Sequence, residues 1–233
     1  MTEPEGPGRT ASPALIFDLD GTLVDSVYQH VLAWHEGLQS VGIDLSVWRI
    51  HRRIGMSGGL FLRALAREIG RELADETLTR VRTIHHTAFV RQIGSVRPLR
   101  GARELLTTLT AARIPWAIAT SGSAETARPT LELLAVPKDV PVITRDQVAY
   151  AKPNPDLFLA AAARLSVPIT AAMVIGDSIW DLLAAHRAGT LGTGLLSGGY
   201  GREELESAGA YRVYEDPADL LSHLDELGVR EVG

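Results

Sequence analysis

Short apolar runs that stop abruptly at polar residues recur along this 233-residue chain. The first, "ALIF" (14–17), runs straight into Asp18-Leu19-Asp20-Gly21-Thr22, and further runs stand at 115–120, 140–144, 171–176, 190–196 and 211–214. Runs this short predict strands, and the uniformly apolar one at 14–17 predicts a buried strand. Between them, apolar positions at helical spacing predict amphipathic helices over 101–112, 124–134, 156–165, 179–188 and 216–226. Strands alternating with helices predict βαβ units and an α/β fold with a parallel sheet. Such sheets bind ligands at the carboxyl ends of their strands.

The stretch between the first two strands breaks this rhythm. Residues 26–97 carry no strand signal and predict helices over about 26–41, 46–53, 58–69 and 74–93, with a glycine-rich loop at "RIGMSGG" (53–59). The predicted organisation is a Rossmann-like core from 14–25 and 98–233, with a helical cap inserted at 26–97 above the strand ends. Residues 1–13 begin "MTEPEGPGRTAS", polar and rich in Pro and Gly, and read as a flexible leader. They lack the basic and apolar regions of a signal peptide, so the expectation is a cytoplasmic protein.

Composition narrows the chemistry. A net charge of −5 gives no general attraction to nucleic acid or anionic membrane. The absence of cysteine excludes disulfides and thiolate catalysis. Only two of the 23 basic residues are lysine, Lys138 and Lys152, which singles out Lys152 in "AKPNP".

The strand ends carry the candidate site. Asp18 and Asp20 end the first strand, Thr120 the second, and Asp177 a later one, with Asp181 four residues on and so on the same helix face. Carboxylates this close repel unless a cation or a proton intervenes. Oxygen-only donors, with no Cys and no compact His cluster, favour Mg²⁺ over zinc. Thr120, the backbone N–H groups of Ser121 and Gly122, and Lys152 suit an anion at a helix start. Carboxylates, Mg²⁺ and anion donors together describe phosphoryl transfer, in which aspartate can be a covalent nucleophile.

"DLDGT", "IAT" ending at Thr120, "AKPNP" and "GDSIWD" resemble, in order and spacing, the four motifs of the haloacid dehalogenase superfamily. The helical insert resembles the cap of its phosphoglycolate phosphatase and β-phosphoglucomutase branch. The resemblance implies Asp18 as nucleophile and Asp20 as general acid and base. It implies Mg²⁺ held by Asp18, the Asp20 carbonyl and Asp177, with Asp181 in the outer sphere. Thr120, Ser121, Gly122 and Lys152 would hold the phosphoryl group.

The expected activity is a Mg²⁺-dependent phosphatase on a small phosphorylated metabolite, such as a sugar phosphate or phosphoglycolate. The alternatives are a mutase of the β-phosphoglucomutase type and a non-catalytic binding scaffold. The cap has no lysine for a phosphonate hydrolase's Schiff base, and Gly58 stands where a mutase usually carries arginine. The cap residues weighed for substrate contact are His30, Arg52, Arg53 and Ser57. Trp34 is read as bundle core, Trp180 as packing against sheet or cap, and His85 and His86 as surface residues. Monomer and homodimer are both left open.

Overall fold

The computed structural model describes residues 12–230. The leader expected over residues 1–13 therefore lies almost wholly outside the described residues. Six parallel strands form the main sheet: β1 (Ala14–Phe17), β4 (Trp116–Ala119), β5 (Val142–Ile143), β6 (Ala172–Gly176), β7 (Leu191–Leu195) and β8 (Ala210–Tyr214). Their order is β5-β4-β1-β6-β7-β8. The chain leaves β1 to build one side through β4 and β5, then crosses back to build the other. The direction of winding thus reverses around β1, where open α/β sheets place their ligand crevice.

Alternation along β1 divides the core. Leu15 and Phe17 face a layer containing α5 (Ala102–Ala111) and α6 (Ala124–Leu134), together with the carboxyl-terminal helix α10 (Pro217–Ser222). Ala14 and Ile16 face α7 (Asp156–Arg164) and α8 (Ile179–Ala188). Both faces are covered, which is why the central strands β1, β4 and β6 are buried throughout.

Helices α1 (Val27–Gln39), α2 (Val47–His51), α3 (Gly58–Glu68) and α4 (Asp75–Gln92) fill the stretch after β1, as the pattern predicts. Their own apolar cluster includes Val31, Trp34, Leu38, Ile50, Phe61, Leu65 and Val81.

Three features differ from expectation. The two connections to this helical layer pair with each other as an antiparallel ribbon, β2 (Val24–Asp25) with β3 (Arg97–Pro98). A six-residue helix, α9 (Arg202–Ser207), stands between β7 and β8. The helix expected over 216–226 splits into α10 and a 3-10 turn at Leu224–Leu227. Among the described residues, no helix is long and apolar enough to cross a membrane.

Candidate active site

Neighbouring strands lie about 4.8 Å apart, so residues just past adjacent strand ends are brought within reach of one another. Asp18 follows β1, Thr120 follows β4 and Asp177 follows β6, the strands on either side of β1. Asp181 joins them from the first turn of α8. One carboxylate oxygen each from Asp18, Asp177 and Asp181 lies within 4.8 Å of the others, and all three residues are buried.

Lys152 reaches into this cluster from the segment before α7. Its Nζ lies 2.6 Å from Asp18 Oδ1 and 2.8 Å from Asp181 Oδ1, with its side chain wholly buried. Burial works against the charge on Lys152, but Asp18 and Asp181 outweigh it and raise its pKa. Asp181 Oδ2 accepts from Ser178 N at 3.1 Å and Ser178 Oγ at 2.5 Å, so the same side chain caps α8. Thr22 Oγ1 donates to Asp177 Oδ1 at 2.8 Å, a role for the last residue of "DLDGT" that sequence reasoning did not assign.

One buried ammonium does not balance three buried carboxylates. Burial lifts the Asp18 carboxyl from 3.8 to about 7, with Lys152 pulling down and Asp181 pushing up. Burial also lifts Asp177 well above the usual carboxylate range, and Asp181 and Asp18 add to the effect. Asp18 Oδ1, despite its ion contact with Lys152, has no donor in hydrogen-bonding geometry. Excess negative charge and an all-oxygen donor set fit a hard cation. The cluster could hold such an ion.

Asp20 turns away from the cluster. Its Oδ1 accepts from Ser26 Oγ at 2.6 Å and lies 3.2 Å from His30 Nε2. Burial alone would raise its pKa, but His30 and Ser26 outweigh burial and hold it below 3.8. Two aspartates two residues apart thus have opposite environments.

On the anion side, Gly122 N–H donates to Thr120 Oγ1 at 3.0 Å. That amide, expected to face an anion, is engaged within its own loop, which leaves the Thr120 hydroxyl proton free to donate elsewhere. Ser121 Oγ is buried without a partner. A cavity of about 520 Å³ opens above these groups, lined by Asp18, Asp20, Thr120, Ser121, Gly122 and Lys152 from the core. His30, Trp34, Arg53, Gly58, His85 and His86 line it from the helical layer.

The cap candidates separate here. His30 and Arg53 line the cavity, although the Arg53 guanidinium is also paired with Glu68. Arg52 points elsewhere: it pairs with Glu204 and lies over the Tyr200 ring at 4.1 Å. Ser57 caps α3 through Leu60 N and is not among the lining residues. Trp34 is buried in the bundle as expected. Trp180 donates from Nε1 to the Arg52 carbonyl, packing against the helical layer.

The surface reading of His85 and His86 is corrected. His85 is buried, with Nε2 3.1 Å from His30 Nδ1, and His86 is part-buried between Thr126 and Glu125. The sequence held one usable signal for His85: it lies four residues before Phe89 and four after Val81, both on the inner stripe of α4.

Fold and cavity together define an α/β enzyme working at the carboxyl edge of its sheet. The chain belongs to the haloacid dehalogenase-like hydrolases, whose family model matches residues 13–189. A phosphoglycolate phosphatase from Rhodospirillum rubrum is 34% identical over 216 residues, 89% of this chain and 88% of its own length. Hexitol phosphatase A from Escherichia coli is 31% identical over 176 residues, 75% of this chain and 78% of its own. The crystal structure of a hydrolase from Pseudomonas syringae is 54% identical with a TM-score of 0.90, covering 92% of this chain and 99% of that one. The protein is thus a hydrolase whose named relatives include phosphatases.

Proposed function

We propose that the protein is a Mg²⁺-dependent phosphatase that hydrolyses a small phosphorylated metabolite through an aspartyl-phosphate on Asp18. The observation that carries this reading is the floor of the cavity. There Asp18 shares the buried Lys152 with Asp181, Asp177 lies within reach of both carboxylates, and Asp20 stands beside them with a separate partner, His30. The names of the phosphoglycolate and hexitol phosphatase relatives support substrates of those two classes.

In this reading an Asp18 oxygen attacks phosphorus and the bond to the leaving oxygen breaks. Asp20 gives that oxygen a proton; the one on His30 Nε2, 3.2 Å from Asp20 Oδ1, is the nearest for it to carry. Asp20 then takes a proton from water as the water oxygen attacks phosphorus. The bond to Asp18 breaks, inorganic phosphate leaves, and Asp20 returns its proton to His30 Nε2, which restores both aspartates and the histidine. Thr120 Oγ1, Ser121 and Lys152 hold the phosphoryl oxygens. Asp18, Asp177 and the Asp20 carbonyl would hold Mg²⁺, with Asp181 acting through its water, and the bound ion neutralises charge on the phosphoryl group. Every group comes from one chain, so a monomer or a homodimer serves equally. A cytoplasmic site of action is part of the reading, because charged metabolites are retained within cells.

The mutase alternative is disfavoured at Gly58. A Cβ there would lie 2.7 Å from Trp34 Cη2 and 2.9 Å from Cζ2, so the indole occupies the space an arginine would leave through. The scaffold alternative has to explain why each motif position is intact. Phosphate release with Mg²⁺ from a panel of sugar phosphates, phosphoglycolate, nucleotides and β-glucose 1-phosphate tests all three readings. The expected result is one metabolite turned over far faster than the rest, with activity lost in Asp18→Asn and in EDTA. Conversion of β-glucose 1-phosphate to glucose 6-phosphate would mean the mutase, and a panel inert with several divalent metals would mean the scaffold.

A further inference from the structure

His85 is a buried histidine that the mechanism above leaves unused. It lies on α4, two turns before the helix ends at Gln92, and its ring stacks on Trp34 with centroids 4.0 Å apart. Its Nε2 lies 3.1 Å from His30 Nδ1, and the opposite nitrogen of His30, Nε2, lies 3.2 Å from Asp20 Oδ1. The His30 ring is itself clamped against Phe89, with centroids 3.9 Å apart and planes 5° from parallel. A single line of contacts therefore runs from the helical layer through two imidazoles to the carboxylate beside the nucleophile.

The chemistry of imidazole gives this line a direction. A neutral histidine carries its proton on one nitrogen only, and the partner of each nitrogen decides which. Burial pushes the His85 pKa well below 6.5, so its ring is neutral. A neutral His85 can offer Nε2–H to His30 Nδ1, or accept from Nδ1–H there. In the first case a neutral His30 must carry its proton on Nε2, facing Asp20. In the second, His30 either is doubly protonated and again presents Nε2–H to Asp20, or is neutral with its Nε2 lone pair against the carboxylate, which the negative charge at 3.2 Å disfavours. Remove His85, and a neutral His30 is free to move its proton to Nδ1 and set a bare lone pair against the Asp20 carboxylate.

We propose that His85 is a positioning residue for Asp20: by occupying His30 Nδ1 it keeps Nε2–H on the Asp20 carboxylate and so aims the group that protonates the leaving oxygen. This rests on the phosphatase reading, and the helical layer thereby contributes to the chemical step as well as to substrate contact.

The test uses leaving groups of different quality. An alkyl phosphate such as a sugar phosphate leaves as an alkoxide unless it is protonated, whereas p-nitrophenyl phosphate releases a stable phenolate. His85→Phe keeps an aromatic ring against Trp34 and deletes both nitrogens. His85→Gln keeps an N–H near the position of Nε2, and His85→Asn carries its amide too close to the backbone to reach. The expected result for His85→Phe is a loss of roughly tenfold or more in kcat on the alkyl phosphate and a much smaller loss on p-nitrophenyl phosphate. Gln should restore most of the loss and Asn should not. Nitrogen NMR of the His30 ring in the protein without substrate should show Nε2 protonated in the wild type and the Nδ1–H form gaining in His85→Phe. Equal losses on both substrates, full activity in His85→Phe, a Gln variant no better than Phe, or an unchanged His30 ring would each overturn the proposal. Wild-type protein inert on both substrates would instead overturn the phosphatase reading, and this inference with it.

Discussion

Asp18 and Asp20 are two residues apart, yet the fold moves their acidities in opposite directions. For Asp18, raised from 3.8 to about 7, the folded chain keeps a proton that the unfolded chain has already released across that window. Asp177 shifts the same way. Folding stability of the metal-free protein should therefore fall as pH rises from about 4 towards 7. Asp20, held below 3.8, works oppositely, and its contribution is lost only as pH drops through its lowered pKa. A cation that binds ionised Asp18 and Asp177 should stabilise little at about pH 5 and more at about pH 7.5, reaching about 2.7 kcal/mol at 100 times its Kd. Thermal unfolding with Mg²⁺ against EDTA at the two pH values measures this; a Mg²⁺ benefit independent of pH would contradict it. The acidic residues were legible because each sits at a strand end in a distinctive motif. His85 was legible only through its four-residue spacing from Val81 and Phe89, and its contact with His30 was not, because that depends on how α4 packs against α1.

Helix α3 begins at Gly58 under the Trp34 indole, and that contact explains a departure from the mutase pattern better than any loop argument. Trp34 is held by Phe61 edge-on and by the His85 ring, so it cannot swing aside cheaply. Gly58→Ala would gain up to about 1 kcal/mol in helix propensity, but overpacking costs about 1–3 kcal/mol. Net destabilisation in urea unfolding is expected, and Trp34→Leu in the same chain should relieve much of it. A neutral or stabilising Gly58→Ala would show that the indole has room to move. The long elements were readable because each repeats its period over several turns. The β2–β3 ribbon and α9 were not. Two-residue strands carry no alternation, and α9 anchors itself through a single buried residue, Leu205.

Across the whole molecule, the helical layer is latched to the core on the side of α2. The Arg52 carbonyl accepts from Trp180 Nε1 at 3.2 Å and from Tyr200 Oη at 3.0 Å, and His51 Nε2 donates to the Gly198 carbonyl at 2.8 Å. Gly198 in turn lies so close to Asp177 that a Cβ there would collide with its carboxylate. Docking of the helical layer and the shape of the acidic cluster are therefore linked through one short loop. Replacing Trp180 and Tyr200 together by Phe removes two neutral hydrogen bonds, about 1–3 kcal/mol. That corresponds to roughly 5- to 150-fold in the docked population. Faster hydrogen exchange in α2 and a larger radius by small-angle scattering are expected, and unchanged values in both would argue that the layer does not open. The sequence by itself determined the α/β class, the position of the helical insert and the acidic strand-end residues. Apolar periodicity and motif spacing are properties of the chain alone. Only the tertiary structure decided that Arg52 serves the latch and not the cavity, that Gly122 N–H is spent on Thr120, and that His85 stands behind His30. Those outcomes depend on side-chain direction between elements far apart in sequence, and no local pattern records it.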